Sequence, residues 1–269
     1  MSQLDFSQHH VLLTGASGGV GQALATELVR RGMRVTLVAR PSSALQDLAQ
    51  RLNQQVIELD LLNADAAQQL RQYAQQSLST TRPVTGIIHN AGSAYTRLFE
   101  HSDWPQQQRL LMLNLMSPMA ITHALLPYLK QRPEALVMTI GSVFGAIGYP
   151  SQAAYCASKA GLQRFTEALH RECSDSTVQV FHCQPRAIET ALNHGAMAQL
   201  NQQLGSAVDS PQWVAQQICQ QLQHGKPRRV LGWPERIFVP LNALFPRLVD
   251  GALRKPYRLI SQLLKEHYS

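Results

Sequence analysis

A tyrosine and a lysine stand four residues apart in Tyr155-Cys156-Ala157-Ser158-Lys159. That spacing puts both on one face of a helix. An ammonium near a phenol favours the phenolate and lowers a pKa otherwise about 10. Tyr155 then becomes usable as a proton donor and acceptor. Ser142 ends an apolar run thirteen residues earlier, from which its hydroxyl can reach the same place. Two hydroxyls side by side can hold a carbonyl oxygen while hydride arrives. A Tyr-x-x-x-Lys pair alone is common, so its weight comes from the serine and from a second motif upstream.

That motif is Thr14-Gly15-Ala16-Ser17-Gly18-Gly19-Val20-Gly21. A glycine-rich turn feeding a helix lets the backbone approach a pyrophosphate, and the helix start supplies N–H donors and positive potential. A bare structural turn is the competing reading. The place of the run, between the first strand and first helix of a βαβ unit, favours the phosphate site, with Gly15, Ser17, Gly19, Val20 and Gly21 as its residues. The second strand ends at Ala39-Arg40 with no acidic residue to accept from ribose hydroxyls. A guanidinium there pairs with a 2′-phosphate, which favours NADP(H) over NAD(H). Otherwise Arg40 is a surface arginine. Asp60-Leu61 closes the third strand, where a carboxylate can reach an adenine amino group. Asn90-Ala91-Gly92 closes the fourth, where small residues allow close approach.

The elements that must position these groups alternate along the chain. Apolar runs at 11–13, 34–39, 56–59, 84–89, 135–140 and 178–183 read as strands. Helical patterns at 20–31, 44–52, 64–76, 106–130 and 153–172 lie between them. Strands apolar on both faces, alternating with helices, predict a parallel sheet covered on both sides. Residues 1–225 read as one domain, and 226–269 as a helical extension cut short by prolines 234, 240, 246 and 256.

With these motifs in place, the chain resembles the one-domain branch of the short-chain dehydrogenase/reductase family from about His10 to Gln223. The resemblance implies an α/β, doubly wound Rossmann three-layer sandwich with about seven parallel strands. It implies hydride transfer between nicotinamide and a carbonyl or secondary alcohol. By the same resemblance Tyr155 is the general acid/base and Ser142 orients the substrate oxygen. Lys159 binds the nicotinamide ribose and lowers the pKa of Tyr155. Asn114 holds a relay water; without the family it is a polar residue in an apolar run that needs a partner. Pro185, Ile188 and Thr190 serve the nicotinamide amide. A non-catalytic dinucleotide-sensing or scaffold protein of the same fold is the rival, but loss of the tetrad would mark it, and the tetrad is complete.

Arg186 departs from the family, which usually has glycine there. Two readings compete: an anion contact to cofactor or to a substrate carboxylate or phosphate, or a lid-side arginine bonded to backbone carbonyls or to Glu189. This arginine and the tail together look like one bacterial subgroup. Val143, Phe144, Ile147 and Tyr149 are expected to wall the substrate pocket with a helical lid over residues 191–204, which carries Asn193, His194 and Gly195. The wall suggests a medium-sized hydrophobic, acyl or lipid-like carbonyl or alcohol.

The formal net charge of +7 is uneven. From Lys226 onward there are nine basic and three acidic residues, so the tail holds +6 and the body +1. No recognition motif accompanies the charge, so no nucleic acid is expected. The tail also carries apolar residues, and three uses compete: packing on the body or a dimer mate, lying on an anionic membrane, or docking a carrier protein. Helices bearing Asn114 and Tyr155 often pair between subunits in the family, which implies a homodimer or tetramer. Four scattered cysteines have no metal-ligand spacing, so no metal is expected. The first ten residues carry no signal pattern and no run of eighteen apolar residues exists. Together with free thiols, this suggests a cytoplasmic protein, peripheral at the membrane if the tail lies there.

Overall fold

The structure, a computed structural model, describes residues 4–191, 193 and 195–268. Branched and apolar residues form the strands β1 (His10–Thr14), β2 (Arg34–Ala39), β3 (Val56–Glu58), β4 (Gly86–His89), β5 (Ala135–Ile140), β6 (Val178–Gln184) and β7 (Arg228–Val230). They make one sheet in the order β3-β2-β1-β4-β5-β6-β7, with every pairing parallel. The helices are α1 (Gly19–Arg30), α2 (Ser43–Leu52), α3 (Ala66–Gln76), α4 (Trp104–Leu111), α5 (Ser117–Leu129), α6 (Ala153–Glu172), α7 (Ala196–Leu204), α8 (Pro211–Gln223), α9 (Glu235–Leu244) and α10 (Pro246–Tyr268).

Strand alternation divides the core in two. On β5, Leu136, Met138 and Ile140 pack with Leu24 and Leu28 of α1 and Ile218 and Leu222 of α8. Ala135 and Val137 point the other way, to Leu70 of α3, Leu125 of α5 and Leu169 of α6. The inner strands are therefore buried on both faces, as a sheet between two helical layers requires. Sheet order reverses between β1 and β4, and their carboxyl ends open a crevice there.

Local signals set the helix ends. Ser42 caps α2 by accepting from the Leu45 N–H, and Asn53 closes that helix in the left-handed region. Ser210 caps α8, with Pro211 at its first position. The expected helix 106–130 is continuous from Trp104 to Leu129 but opens into a π-turn at Met112–Met116. That span is long and apolar enough on average to cross a membrane. Its Ile121, Leu125 and Leu129 instead pack into the core against the sheet.

Two expectations about the tail change. The seventh strand, β7, lies beyond position 225, so the sheet does not end where the boundary was drawn. Prolines do not cut the tail into short pieces throughout. Pro240 sits inside α9 and Pro256 inside α10, which runs 23 residues. Pro256 is itself buried, so packing offsets the lost hydrogen bond.

Candidate active site

The crevice is a cleft of about 720 Å³. At its floor the ends of β1 and β4 are locked together. The Thr14 hydroxyl accepts from the N–H groups of Asn90 and Ala91, both at 3.1 Å. The Asn90 amide donates to the carbonyls of Thr14 and Gly15, also at 3.1 Å. Gly15 turns the chain at φ +65°, and a Cβ there would lie 2.7 Å from Ala91 Cα. Gly18 precedes α1 without a side-chain cap, so the first-turn N–H groups of that helix face the cleft unspent. These features fit a dinucleotide pyrophosphate.

Arg40 and Asp60 line the far end of this cleft. Arg40 is exposed and makes no hydrogen bond or ion pair with any described residue. Asp60 accepts from the Leu62 N–H at 3.0 Å and faces Arg109 at 3.7 Å. It is the one carboxylate among the described lining residues. The other expected cofactor residues, Ser17, Gly19, Val20, Gly21, Leu61, Ala91, Gly92, Pro185, Ile188 and Thr190, also line the cleft.

Ser142, Tyr155 and Lys159 meet at the opposite end. The Ser142 hydroxyl accepts from the Phe144 N–H at 3.2 Å, which fixes its rotamer. Tyr155 is half-buried beside Ser142 and met edge-on by the Phe144 ring at 6.5 Å. Lys159 Nζ donates to the Ile140 carbonyl at 3.0 Å and lies 5.8 Å from the Tyr155 ring centroid. Asn114 is fully buried in the π-turn, a distortion that re-aims a helix side chain. Its amide donates to the Ser93 carbonyl and to Ser158 Oγ, and its oxygen accepts from the Ser93 N–H at 2.8 Å. Ser158 in turn donates to the Tyr155 carbonyl at 2.7 Å. Asn114 thus ties the cleft loop to the turn that carries Tyr155.

One expectation is corrected here. The protein alone does not lower the phenol. Burial pushes Tyr155 up to about 12, against the downward pull of the Ser142 hydrogen bond. Burial also brings Lys159 down to about 8. Desolvation is the dominant cause for both groups. At neutral pH Tyr155 is therefore a loaded proton donor.

The lysine shift has a testable cost. At pH 7 the ammonium is charged in both folded and unfolded chains, and burial penalises it only when folded. The unfolded chain holds the extra proton between about pH 8 and 10.5, so this penalty is relieved as pH rises through that window. Lys159→Met is expected to stabilise the nucleotide-free protein at pH 7 by about 1–2 kcal/mol, the gain being limited by the Ile140 carbonyl left unpaired. Thermal melts should show the gain shrinking toward pH 10; a destabilised variant at pH 7 would contradict the assignment.

The substrate end differs in part from expectation. Val143 and Phe144 line the cleft, whereas Ile147 and Tyr149 do not. Tyr149 stacks behind Phe144 at 4.5 Å and 17°, so it buttresses the wall. Ala191, Asn193, Met197 and Asn201 reach the cleft from the lid side. His194 lies outside the described residues. Residues not anticipated also appear, among them Tyr95, Gln106 and Gln152. Gln152 is buried, donates to Thr96 Oγ1 at 2.6 Å, and keeps its carbonyl oxygen without a hydrogen-bond partner. Its place one helical turn before Tyr155 was the available signal.

Arg186 reaches the cleft lining, but its guanidinium is occupied. It grips Asp209 through two bonds of 3.0 and 2.7 Å, donates to the Trp233 carbonyl at 2.8 Å, and meets Glu235 at 3.3 Å. Forked pairing of this kind leaves little for a ligand anion. The anion contact is therefore not favoured; the bond to a backbone carbonyl is present, at Trp233, but the carboxylate partners are Asp209 and Glu235 and not Glu189.

A doubly wound sheet with a phosphate-binding first turn and a Ser-Tyr-Lys wall defines a dinucleotide-dependent oxidoreductase. The pattern of the short chain dehydrogenase family matches residues 9–201, and the chain belongs to that family. Nodulation protein G of Rhizobium meliloti (strain 1021) is 34% identical over 189 residues, 68% of this chain and 76% of that one. Dehydrogenase/reductase SDR family member 7B of Bos taurus is 29% identical over 267 residues, 91% of this chain and 81% of that one. A short-chain dehydrogenase structure from Streptomyces avermitilis superposes with TM-score 0.76 at 27% identity, covering 90% of this chain and 96% of that one. A Burkholderia cenocepacia J2315 short chain dehydrogenase, solved in complex with NADP, shares the fold at TM-score 0.78 and 20% identity, covering 93% and 99%.

Proposed function

We propose that the chain is an NADP(H)-dependent reductase of medium-sized hydrophobic ketones or aldehydes, working also in reverse on secondary alcohols. The observation that carries the reading is the meeting of Ser142, Tyr155 and Lys159 at one end of the cleft, where the phenol stays protonated at neutral pH and can donate. A reduced nicotinamide dinucleotide, which the cleft residues Gly15, Gly19, Gly21, Arg40 and Lys159 would hold, would supply the hydride for a carbonyl carbon. The Ser142 hydroxyl holds the carbonyl oxygen, and Tyr155 Oη gives it a proton, so a carbonyl becomes an alcohol. Lys159 sits beside Tyr155 to support the phenolate left behind, and Asn114 holds the helix turn in register and a relay water. Hydrophobic substrate preference is supported by Val143, Phe144, Leu113 and Met197 in the lining and by the lack of a carboxylate near Tyr155 among the described lining residues.

NADP(H) preference is supported by the free guanidinium of Arg40 at the end of β2. Arg40→Ala is expected to weaken NADPH about tenfold to a hundredfold while leaving NADH nearly unchanged, since only the former carries the 2′-phosphate. KM ratios for the two nucleotides check this. An unchanged ratio removes the phosphate contact. The reaction itself is tested by following reduced-nicotinamide absorbance with a panel of aliphatic and aromatic carbonyls. If neither a carbonyl oxidises NADPH nor an alcohol reduces NADP, the reading fails.

A homodimer through the helices that bear Asn114 and Tyr155 belongs to the same reading. Met112 and Met116 support it, as they are one turn apart and half exposed on that helix. A cytoplasmic site is supported by four cysteines that are all free and buried.

A further inference from the structure

The surface of the tail is apolar where it leaves the sheet and basic where it runs along the body. α9 buries none of its residues. Trp233, Ile237, Phe238, Leu244, Phe245 and Leu248 are between 41% and 71% exposed, six large apolar side chains within sixteen residues. Scattered single apolar residues need no explanation, but a cluster of this kind does.

α10 shows the complementary pattern. One side, with Val249, Ile260, Leu263 and Leu264, is buried, and the last three of these pack with Met197 and Leu200 of α7. Arg247, Arg254, Arg258 and Lys265 follow one another at intervals of seven, four and seven residues. At 3.6 residues per turn those intervals keep all four within about 40° of one another, opposite the buried side. The row is about 27 Å long at 1.5 Å per residue. All four are exposed, and none makes a hydrogen bond or ion pair with any described residue.

We propose that α9 and the outer face of α10 dock the protein on an anionic phospholipid surface, with the apolar cluster entering the headgroup boundary and the basic row lying on the phosphates. Charge complementarity selects this occupant. A symmetric contact with a second copy would bring one tail of +6 against another, which repels. A nucleic-acid backbone offers phosphates to the row but nothing to six apolar side chains. An interfacial lipid layer takes both at once.

The placement also serves the cleft. Asn242 of α9 donates to the Ala146 carbonyl at 2.9 Å, beside the turn that carries Phe144. Arg186 holds the start of α9 through Trp233 and Glu235. Met197 and Asn201 of α7, the helix on which α10 rests, line the cleft. A docked tail therefore brings the substrate rim to the bilayer, where a lipophilic carbonyl partitions. Docking itself does not depend on the reductase reading.

The test is co-sedimentation of the full chain with vesicles of phosphatidylcholine alone or of equal parts phosphatidylcholine and phosphatidylglycerol. Binding is expected only to the anionic vesicles at low salt, and should be lost in molar salt. A basic residue near such a surface is worth about fivefold in partition. Arg247→Gln/Arg254→Gln/Arg258→Gln should therefore cost at least about twentyfold, and Phe245→Ser/Leu248→Ser at least about tenfold. Circular dichroism melts verify that both variants stay folded. If a variant does not, the two vesicle arms with the unaltered chain still decide. Equal binding to neutral vesicles overturns the charge role. No binding to either overturns the proposal. So does a concentration-dependent dimer that Phe245→Ser/Leu248→Ser disperses, which would give the face to a second copy. Sedimentation is read without turnover, so its failure is distinct from failure of the reductase reading.

Discussion

Tyr155→Phe is expected to lower kcat by about three to four orders of magnitude while changing nucleotide affinity by less than about threefold. The substitution deletes one oxygen. Its neighbour is Ser142, which lines the same end of the cleft. The ring remains, so its edge contact with Phe144 and the packing around Lys159 are kept. The half-buried ring keeps its packing, so the fold should not suffer. The proton that reaches the product oxygen then has to come from water or from Ser142, which has no base behind it among the described residues. Single-turnover kinetics and nucleotide titration separate the two effects. A variant with turnover within tenfold of the parent would take the acid role away from Tyr155. A variant that lost nucleotide binding equally would make Tyr155 a cofactor contact instead. Because burial holds the phenol near 12, the parent's reduction rate should stay flat through neutral pH rather than fall as a phenol of lowered pKa ionises.

Sequence order carried the fold because the sheet is parallel and its connections are helical. The inner strands are buried on both faces, so they read as continuous apolar runs, and the crossovers between them read as helices. The exceptions have physical causes. β7 is three residues long, and two of them are arginine, so it has no apolar run to recognise. α8 was legible through its Ser210 cap, Pro211 and the four-residue spacing of Val214, Ile218 and Leu222. The alternation reading passed over it because glutamines fill its outer face. α10 was obscured by Pro256, whose helix-breaking tendency is local while the packing of Ile260, Leu263 and Leu264 on α7 extends over several turns.

The site was legible where one residue type does one job at a fixed spacing. Tyr155 and Lys159 share a helix, so four residues suffice to join them. Arg186 shows the limit. Its partners Asp209 and Glu235 lie 23 and 49 residues further on, and no local pattern links them. Gly232, at φ +93°, leaves the room this side chain needs, since a Cβ there would lie 2.9 Å from Arg186 Cδ. The pKa of Tyr155 was missed for a related reason. Spacing reports which charges are near, but desolvation depends on everything that packs around them.

Gly21→Ala is expected to cost about 2–4 kcal/mol of stability and to weaken nucleotide binding by a hundredfold or more. The added Cβ would lie 2.1 Å from the Gly15 carbonyl oxygen and 2.9 Å from Ala16 Cα. Both are backbone atoms, so no rotamer change can relieve the clash. α1 must instead move away from the turn, and its first-turn N–H groups would leave the position they hold toward the cleft. Because the turn is also pinned through Asn90 to β4, the displacement is shared with that strand end. Gly18→Ala is the matched control. Its Cβ would meet only the Gly15 oxygen, at an ordinary 3.5 Å, and the residue's φ of −78° suits alanine. It should melt within about 2 °C of the parent and bind nucleotide within about threefold. Melting curves and nucleotide titration on the pair distinguish close backbone approach from glycine content as such. Equal tolerance of both substitutions would mean that the first turn of α1 is not held where the phosphate reading needs it.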